Sequence, residues 1–270
     1  MSYPQPKRRA PIVGPATGSL VVVGGGTLDD KIYAEVVTRA KGGPIIVIPT
    51  ADGEQETYPQ DFAPAPTFRR LGASSVTVLH TYDPAVADTD AFVAPLLNAT
   101  GVWFVGGRQW RLVDAYAGTK AETAFRGVLD RGGVIAGSSA GASIQASFLA
   151  RGDTENNQVM VGDHTVGFGY LRGVAVDQHV LVRGRQFDMF DILKEYPELL
   201  GLGCDENTAL VVEGDRATIL GHSYCGVWDG KFWAREGSEM KTIPPVDQRF
   251  YFLREGDVYD MAAREVVVVS

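Results

Sequence analysis

The segment VIAGSSAGASI, residues 134–144, sets two adjacent serines between glycines directly after an apolar run. Gly137-Ser138-Ser139-Ala140-Gly141 satisfies G-x-S-x-G, a pattern that exposes a nucleophile on a sharp turn when a strand precedes it and a helix follows. Here the apolar VIA precedes, and ASIQASFLA, compatible with a helix, follows. Flanking glycines and small neighbours suit a middle residue forced into strained backbone geometry, which selects Ser139 over Ser138. A helix starting beneath Ser139 would stabilise a developing oxyanion, with the Ala140 N–H as first donor and Gly107 supplying a second. The bland alternative is a Gly/Ser turn in which either serine caps a helix.

The flanking sequence repeats the same strand, turn and helix rhythm. SLVVVGGG (19–26) is followed by LDDKIYAEVVTRA with helical spacing, and PIIVIPTA (44–51) by a helix through FAPAPTFRRLG. SSVTVLHTY (74–82) reads as a third strand, GVWFVGG with RQWRLVDAYAG as a fourth unit, and residues 132–150 as a fifth. Continuous rather than alternating apolar strands imply a sheet covered on both faces, so the expected class is α/β with a doubly wound, mostly parallel sheet. From about residue 209 short strands and hairpin turns take over, in ALVVEGDRATILG, GVWDGKFW and the final EVVVVS. These are expected as antiparallel strands extending the same domain. No repeat or linker interrupts residues 19–270, which are read as one domain after a loosely attached lead-in over residues 1–18. That lead-in lacks the continuous apolar region of a secretory signal.

Composition limits the partners. Lys and Arg total 25 against 33 Asp and Glu, a net charge of -8, which argues against nucleic acid or an anionic membrane. Cys204 and Cys225 form no C-x-x-C pair, so buried thiols in a reducing cytosol are expected. Gly24-Gly25-Gly26 after the first strand lacks the G-x-G-x-x-G fingerprint, because Asp29 stands where the third glycine is due, and dinucleotide binding is set aside.

A serine nucleophile needs a base, and the chain has four histidines. His80 at a strand end, His222 in a hairpin-like segment and His164 in a polar loop read as structural or surface groups. His179 differs: VAVDQHVLVRGR places it in a β-branched run among Asp177, Gln178, Arg183 and Arg185. Polar groups packed into an apolar strand are costly unless paired, so they are expected to face a shared cleft. The orienting carboxylate is Asp205 or Glu206, between two apolar runs. The order Ser, His, acid departs from the Ser, Asp/Glu, His order of α/β-hydrolases.

AGSSAGA, DQHxxxRxR and the DENTA segment together resemble the cyanophycinase and aspartyl dipeptidase family of serine peptidases, over about Val21 to Val212. The resemblance implies a fold similar to class I glutamine amidotransferases, with Ser139 as nucleophile, His179 as base and Glu206 as orienting acid. It also implies that Gln109, Asp177, Gln178, Arg183 and Arg185 line the pocket for a β-aspartyl-linked peptide substrate. Homodimers, and no metal or organic cofactor, are implied as well. Two positions depart from the family pattern. Arg108 replaces the Asp of G-G-D-Q, and Asp188 falls where a third arginine is usual, so charge complementarity to the substrate is expected to change in both places. The rival class is an inactive amidotransferase-like binding protein that keeps the fold without the chemistry.

Overall fold

The computed structural model describes residues 12–53, 55–235 and 243–267. Five parallel strands, β1 (Ser19–Val23), β2 (Ile45–Ile48), β3 (Val76–Val78), β4 (Gly101–Phe104) and β5 (Val134–Ser138), lie in the order β1-β5-β4-β2-β3. A second sheet takes β6 (Ala146–Phe148), β7 (Leu171–Gln178) and β8 (Leu200–Cys204), which run parallel to one another. Antiparallel strands β9 (Thr208–Glu213) and β10 (Arg216–Gly221) extend the first sheet beyond β1. β11 (Tyr224–Trp228) and β12 (Tyr251–Arg254) extend the second beyond β8. β13 (Val258–Asp260) and β14 (Glu265–Val267) return to the first sheet, giving, among the described residues, nine strands there and five in the other. The α/β class with antiparallel C-terminal strands is therefore observed. The second sheet is the departure: GVWDGKFW and the strand after it leave the first sheet rather than extending it.

The helices explain why the parallel strands are apolar throughout. α1 (Asp30–Arg39) and α2 (Ala65–Arg70) cover one face, where Val21, Val23, Ile45, Val47 and Trp103 meet Ile32, Val36 and Phe68. The opposite face carries α3 (Pro84–Ala87), α4 (Asp90–Val93), α5 (Trp110–Tyr116), α6 (Lys120–Asp130) and the single turn α7 (Ala140–Ser143). There Leu20, Val22, Ile46, Ile48, Val102 and Phe104 pack with Leu112, Phe125 and, from the second sheet, Leu200 and Leu202. Successive side chains of a strand point to opposite faces, so a strand sandwiched between two layers needs apolar residues at every position. The other side of the second sheet is closed by α8 (Met189–Glu195) through Met189 and Ile192 against Ala175 and Trp228.

Three local expectations differ. The helix after Ser139 lasts one turn and gives way to β6: the carbonyls of Ile144 and Gln145 accept from the Phe168 and Leu171 N–H groups, at 2.8 and 3.0 Å, instead of continuing the helical ladder. Residues 12–18 are tied down: the N–H groups of Ile12, Val13 and Gly14 donate to Asp215, and Arg172 donates to the carbonyls of Ile12 and Gly14. The remainder of the expected lead-in, residues 1–11, lies outside the described residues, as do residues 268–270 of the last apolar run. Cys204 and Cys225, expected as free thiols, face each other across β8 and β11 with Cα atoms 4.1 Å apart and are joined as a disulfide. Strand pairing brings them together, which removes the cysteine argument for a reducing compartment.

Candidate active site

The carboxyl ends of strands from both sheets converge on one edge, the usual location of ligand sites in open α/β sheets. β5 ends at Ser138, so Ser139 is the first residue beyond it, with φ 57° and ψ -113°. β7 ends at Gln178, so His179 follows with φ 53°, and Gln178 is in register with Cys204 at the end of β8, which places Asp205 and Glu206 just beyond. Left-handed backbone at non-glycine residues is strained and concentrates at functional sites.

These three strand ends bring a serine, an imidazole and a carboxylate into line. The His179 Nδ1 lies 2.6 Å from Glu206 Oε1, and its Nε2 lies 3.0 Å from Ser139 Oγ. With Nδ1–H donating to the carboxylate, Nε2 keeps its lone pair and accepts from the serine hydroxyl, the tautomer a general base requires. Burial depresses the basicity of His179; Glu206 opposes that effect, and the nearby Arg183 and Arg185 reinforce it. The imidazole is therefore neutral at neutral pH.

The choice between Asp205 and Glu206 follows from where each side chain is held. Asp205 is buried, accepts from the N–H groups of Leu181 and Val182 at 3.0 Å, and accepts from Ser223 Oγ at 2.7 Å. It fixes the turn after His179, leaving Glu206 to reach the ring. The other histidines stand apart from this chain. His80 Nδ1 bonds Thr50 Oγ1 at 2.8 Å, His164 lies between Asp114 and Asp163, and His222 pairs with Asp29.

Two candidate oxyanion donors border Ser139. The N–H groups of Ala140 and Gly107 have no acceptor among the described residues, whereas the Ser139 N–H is used by Val23 O at 2.9 Å. Gly107 is held against the Ala51 carbonyl, and Gly106 abuts the Ser139 side chain, where a Cβ on Gly106 would lie 3.2 Å from Ser139 Cβ. Beside Ser139 opens a cleft of about 340 Å³ lined by Leu28, Tyr33, Asp52, Pro64, Trp103 and Val105. A larger cavity of about 660 Å³ between α8 and residues 246–249 contains none of the three aligned residues.

The residues expected to bind substrate divide into two groups. Arg183 is exposed beside His179, and Arg185 is buried with Nη1 donating to the Gln178 carbonyl and to Gln178 Oε1. Arg185 Nε and Nη2 are buried without a hydrogen-bond partner among the described residues. Burial and the neighbouring Arg151 pull this guanidinium down to about 10, which still leaves it cationic at neutral pH. The others are held by the protein. Gln109 donates to the Ala150 carbonyl at 2.6 Å, and Arg108 to the Asp153 carbonyl at 2.6 Å. Asp177 takes a two-pronged contact from Arg151, Nε to Oδ1 at 2.7 Å and Nη2 to Oδ2 at 2.9 Å, while Asp188 accepts from Arg151 Nη2 at 2.6 Å. The charge at Asp188, expected to alter substrate complementarity, is thus matched internally by Arg151. Among the described residues no three His, Cys, Asp or Glu side chains converge as a metal site, and no helix is long and apolar enough to cross a membrane.

The model of peptidase family S51 matches residues 20–220, well over half of the chain. The chain belongs to peptidase family S51. The cyanophycinase of Geminocystis herdmanii is 28% identical over 258 residues, covering 90% of this chain and 93% of that protein. The cyanophycinase of a Nostoc strain is 30% identical over 213 residues, covering 74% of this chain and 70% of that protein. The crystal structure of a peptidase from an acI-B1 Actinobacterium superposes with a TM-score of 0.67 at 22% identity, covering 90% of this chain and 97% of that one, which shows a shared fold.

In this S51 peptidase the glycines after β1, set aside as a nucleotide loop, instead back the aligned side chains. Gly25 has φ 119°, and a Cβ there would stand 2.3 Å from the His179 ring; at Gly26 it would stand 2.5 Å from Glu206 Oε2. The His179 N–H also donates to the Gly24 carbonyl at 3.0 Å. A glycine run after a strand that lacks the dinucleotide spacing was the available signal. Arg151 gave none: it sits in a loop with nothing nearby in sequence to mark it as the partner of Asp177 and Asp188.

Proposed function

We propose that this S51 peptidase is a serine hydrolase that cleaves β-aspartyl or related acidic peptide bonds through an acyl-enzyme. The observation that carries the reading is the continuous Ser139–His179–Glu206 chain at the converging strand ends, with Ser139 open to a cleft. Ser139 Oγ attacks the scissile carbonyl carbon as His179 Nε2 takes its proton. The resulting oxyanion accepts from the N–H groups of Ala140 and Gly107. Because α7 is a single turn, direct donation by these two groups, rather than a long helix dipole, provides the stabilisation. Collapse expels the leaving amine, which receives the proton from His179. Water then repeats the sequence on the ester and frees Ser139. Glu206 holds the ring tautomer and stabilises the imidazolium in each half.

The unpartnered edge of Arg185, with Arg183 beside it, supports an anionic substrate group on the His179 side of the nucleophile. A buried guanidinium with free donors is costly unless an anion or water meets them. Arg108, Gln109, Asp177, Gln178 and Asp188 then act by holding the loops and the Arg185 side chain that shape this pocket. The relatives named cyanophycinase support a β-aspartyl-arginine substrate as the first to try, with exopeptidase cleavage by a homodimer as the accompanying expectation.

The deciding experiment combines a fluorophosphonate probe with a hydrolysis panel of cyanophycin, β-aspartyl dipeptides and α-linked Asp-Xaa dipeptides. Labelling that maps to Ser139, loss of labelling in Ser139→Ala, and turnover of β-aspartyl members are expected. Labelling without turnover of any member would remove this substrate class, and no labelling would favour a binding protein that has lost its chemistry.

A further inference from the structure

Among the described residues, Asp52 is the one acidic or basic side chain lining the cleft that opens at Ser139. The remaining wall is mostly apolar, through Leu28, Trp103, Val105 and Pro64. Its position is firmly set. Arg111 Nη1 donates to the carbonyls of Ala51 and Asp52 at 3.2 and 2.8 Å, the Arg108 N–H donates to Ala51 O at 2.8 Å, and the Asp52 N–H donates to Pro49 O at 2.9 Å. On the side chain, Tyr58 donates its hydroxyl to Oδ2 at 2.9 Å, and burial raises that phenol so that it stays protonated and able to donate. Oδ1 has no hydrogen-bond partner among the described residues, and no Lys or Arg forms an ion pair with Asp52 there. The Arg111 guanidinium beside it is turned to the backbone carbonyls instead.

A half-buried carboxylate with one free oxygen, beside apolar walls and a nucleophile, suits a cation carried on an alkyl stem: the stem lies on the apolar wall while the head meets the carboxylate. We propose that Asp52 is a specificity-determining residue that binds the ammonium or guanidinium of a Lys-like or Arg-like substrate residue lying in this cleft next to the scissile bond. The site is then bipolar, with Asp52 on one side of Ser139 and the Arg183–Arg185 pair beside His179. The proposal rests on the peptidase reading above, and the overall charge of -8 favours the approach of a cationic substrate segment.

The test uses the full chain and peptides that share one scissile linkage while each flanking residue in turn is Arg, citrulline, Lys, norleucine or Glu. At one flank the wild type should prefer Arg to citrulline and Lys to norleucine by about 10- to 100-fold in kcat/KM, mostly through KM, the range expected of a charge-assisted hydrogen bond. Asp52→Asn keeps the acceptor for Tyr58 and should erase the preference by slowing only the cationic members. Asp52→Lys should shift the preference towards Glu. A preference that survives in Asp52→Asn, or none in the wild type while neutral peptides are cleaved, overturns the proposal and leaves the peptidase reading intact. Absent turnover together with absent labelling of Ser139 overturns the peptidase reading instead. Calorimetric binding to Ser139→Ala reports independently of turnover: tighter binding of the Arg peptide than of the citrulline peptide supports the proposal, and equal affinity overturns it.

Discussion

His179 is held between opposing influences, and their signs dictate how the enzyme should respond to pH. The ring must be neutral to take the serine proton, and burial has lowered its pKa from the ordinary 6.5. Activity is therefore expected to persist below that value on acidification and to disappear as the lowered pKa is crossed. Arg183 is one of the groups that lowers it, so Arg183→Ala should move the acid limb of kcat/KM upward, whereas Glu206→Gln should move it downward. A pH-rate profile of the three proteins checks both directions. Glu206→Gln should also cost about 1,000- to 10,000-fold in kcat, the usual effect of losing the carboxylate that fixes the imidazole tautomer. The same shift bears on stability. In the window below 6.5 the unfolded chain takes up a proton that folded His179 does not, so this residue's contribution falls as pH drops through that window. The motif singled out Ser139 and the polar neighbours singled out His179, and the fold sets the two 3.0 Å apart. Asp205 and Glu206 are adjacent and their own pattern left both open; the family resemblance pointed to Glu206, and in the fold the Leu181 and Val182 N–H groups claim Asp205.

Arg151 ties together the loop after β6, the end of β7 and the start of α8, with its side chain fully buried between Asp177 and Asp188. Removing one member of a buried ion set leaves the others uncompensated, at a cost of about 3–5 kcal/mol, while replacing all of them with apolar groups costs far less. Arg151→Met should therefore destabilise by about that amount, and adding Asp177→Asn and Asp188→Asn should recover part of the loss, as read by denaturant unfolding. If Arg151→Met unfolds like the wild type, the set contributes nothing to stability. The second tie is the Cys204–Cys225 disulfide between β8 and β11, two residues upstream of Glu206 in the chain. With 21 residues of separation, loop-closure entropy gives about 3 kcal/mol for such a bond. Reduction, or Cys225→Ala, should lower Tm by several degrees, and thiol titration of the native protein should find no free thiol.

The two sheets divide the labour of building the site. The first places Ser139 after β5, the glycine backing after β1 and the Gly107 N–H, the proposed second oxyanion donor, after β4; the second places His179 and Glu206, the proposed base and acid, after β7 and β8. Apolar periodicity marked β1 to β5 as buried on both faces, because a strand enclosed by two layers tolerates polar residues at neither parity. The G-x-S-x-G turn and the order of its partners were likewise written locally, in residues whose chemistry depends on close neighbours. Contacts between distant segments were not: the sorting of C-terminal strands between two sheets, the pairing of Cys204 with Cys225, the match of Arg151 to Asp188, and the approach of Asp52 to Ser139. The three residue pairs are separated by 21 to 87 positions, and the proximity in every case arises from strand register and layer packing rather than from any pattern a single segment carries. Local chemistry thus singled out the proposed reacting groups, while packing decided which charges are matched within the protein.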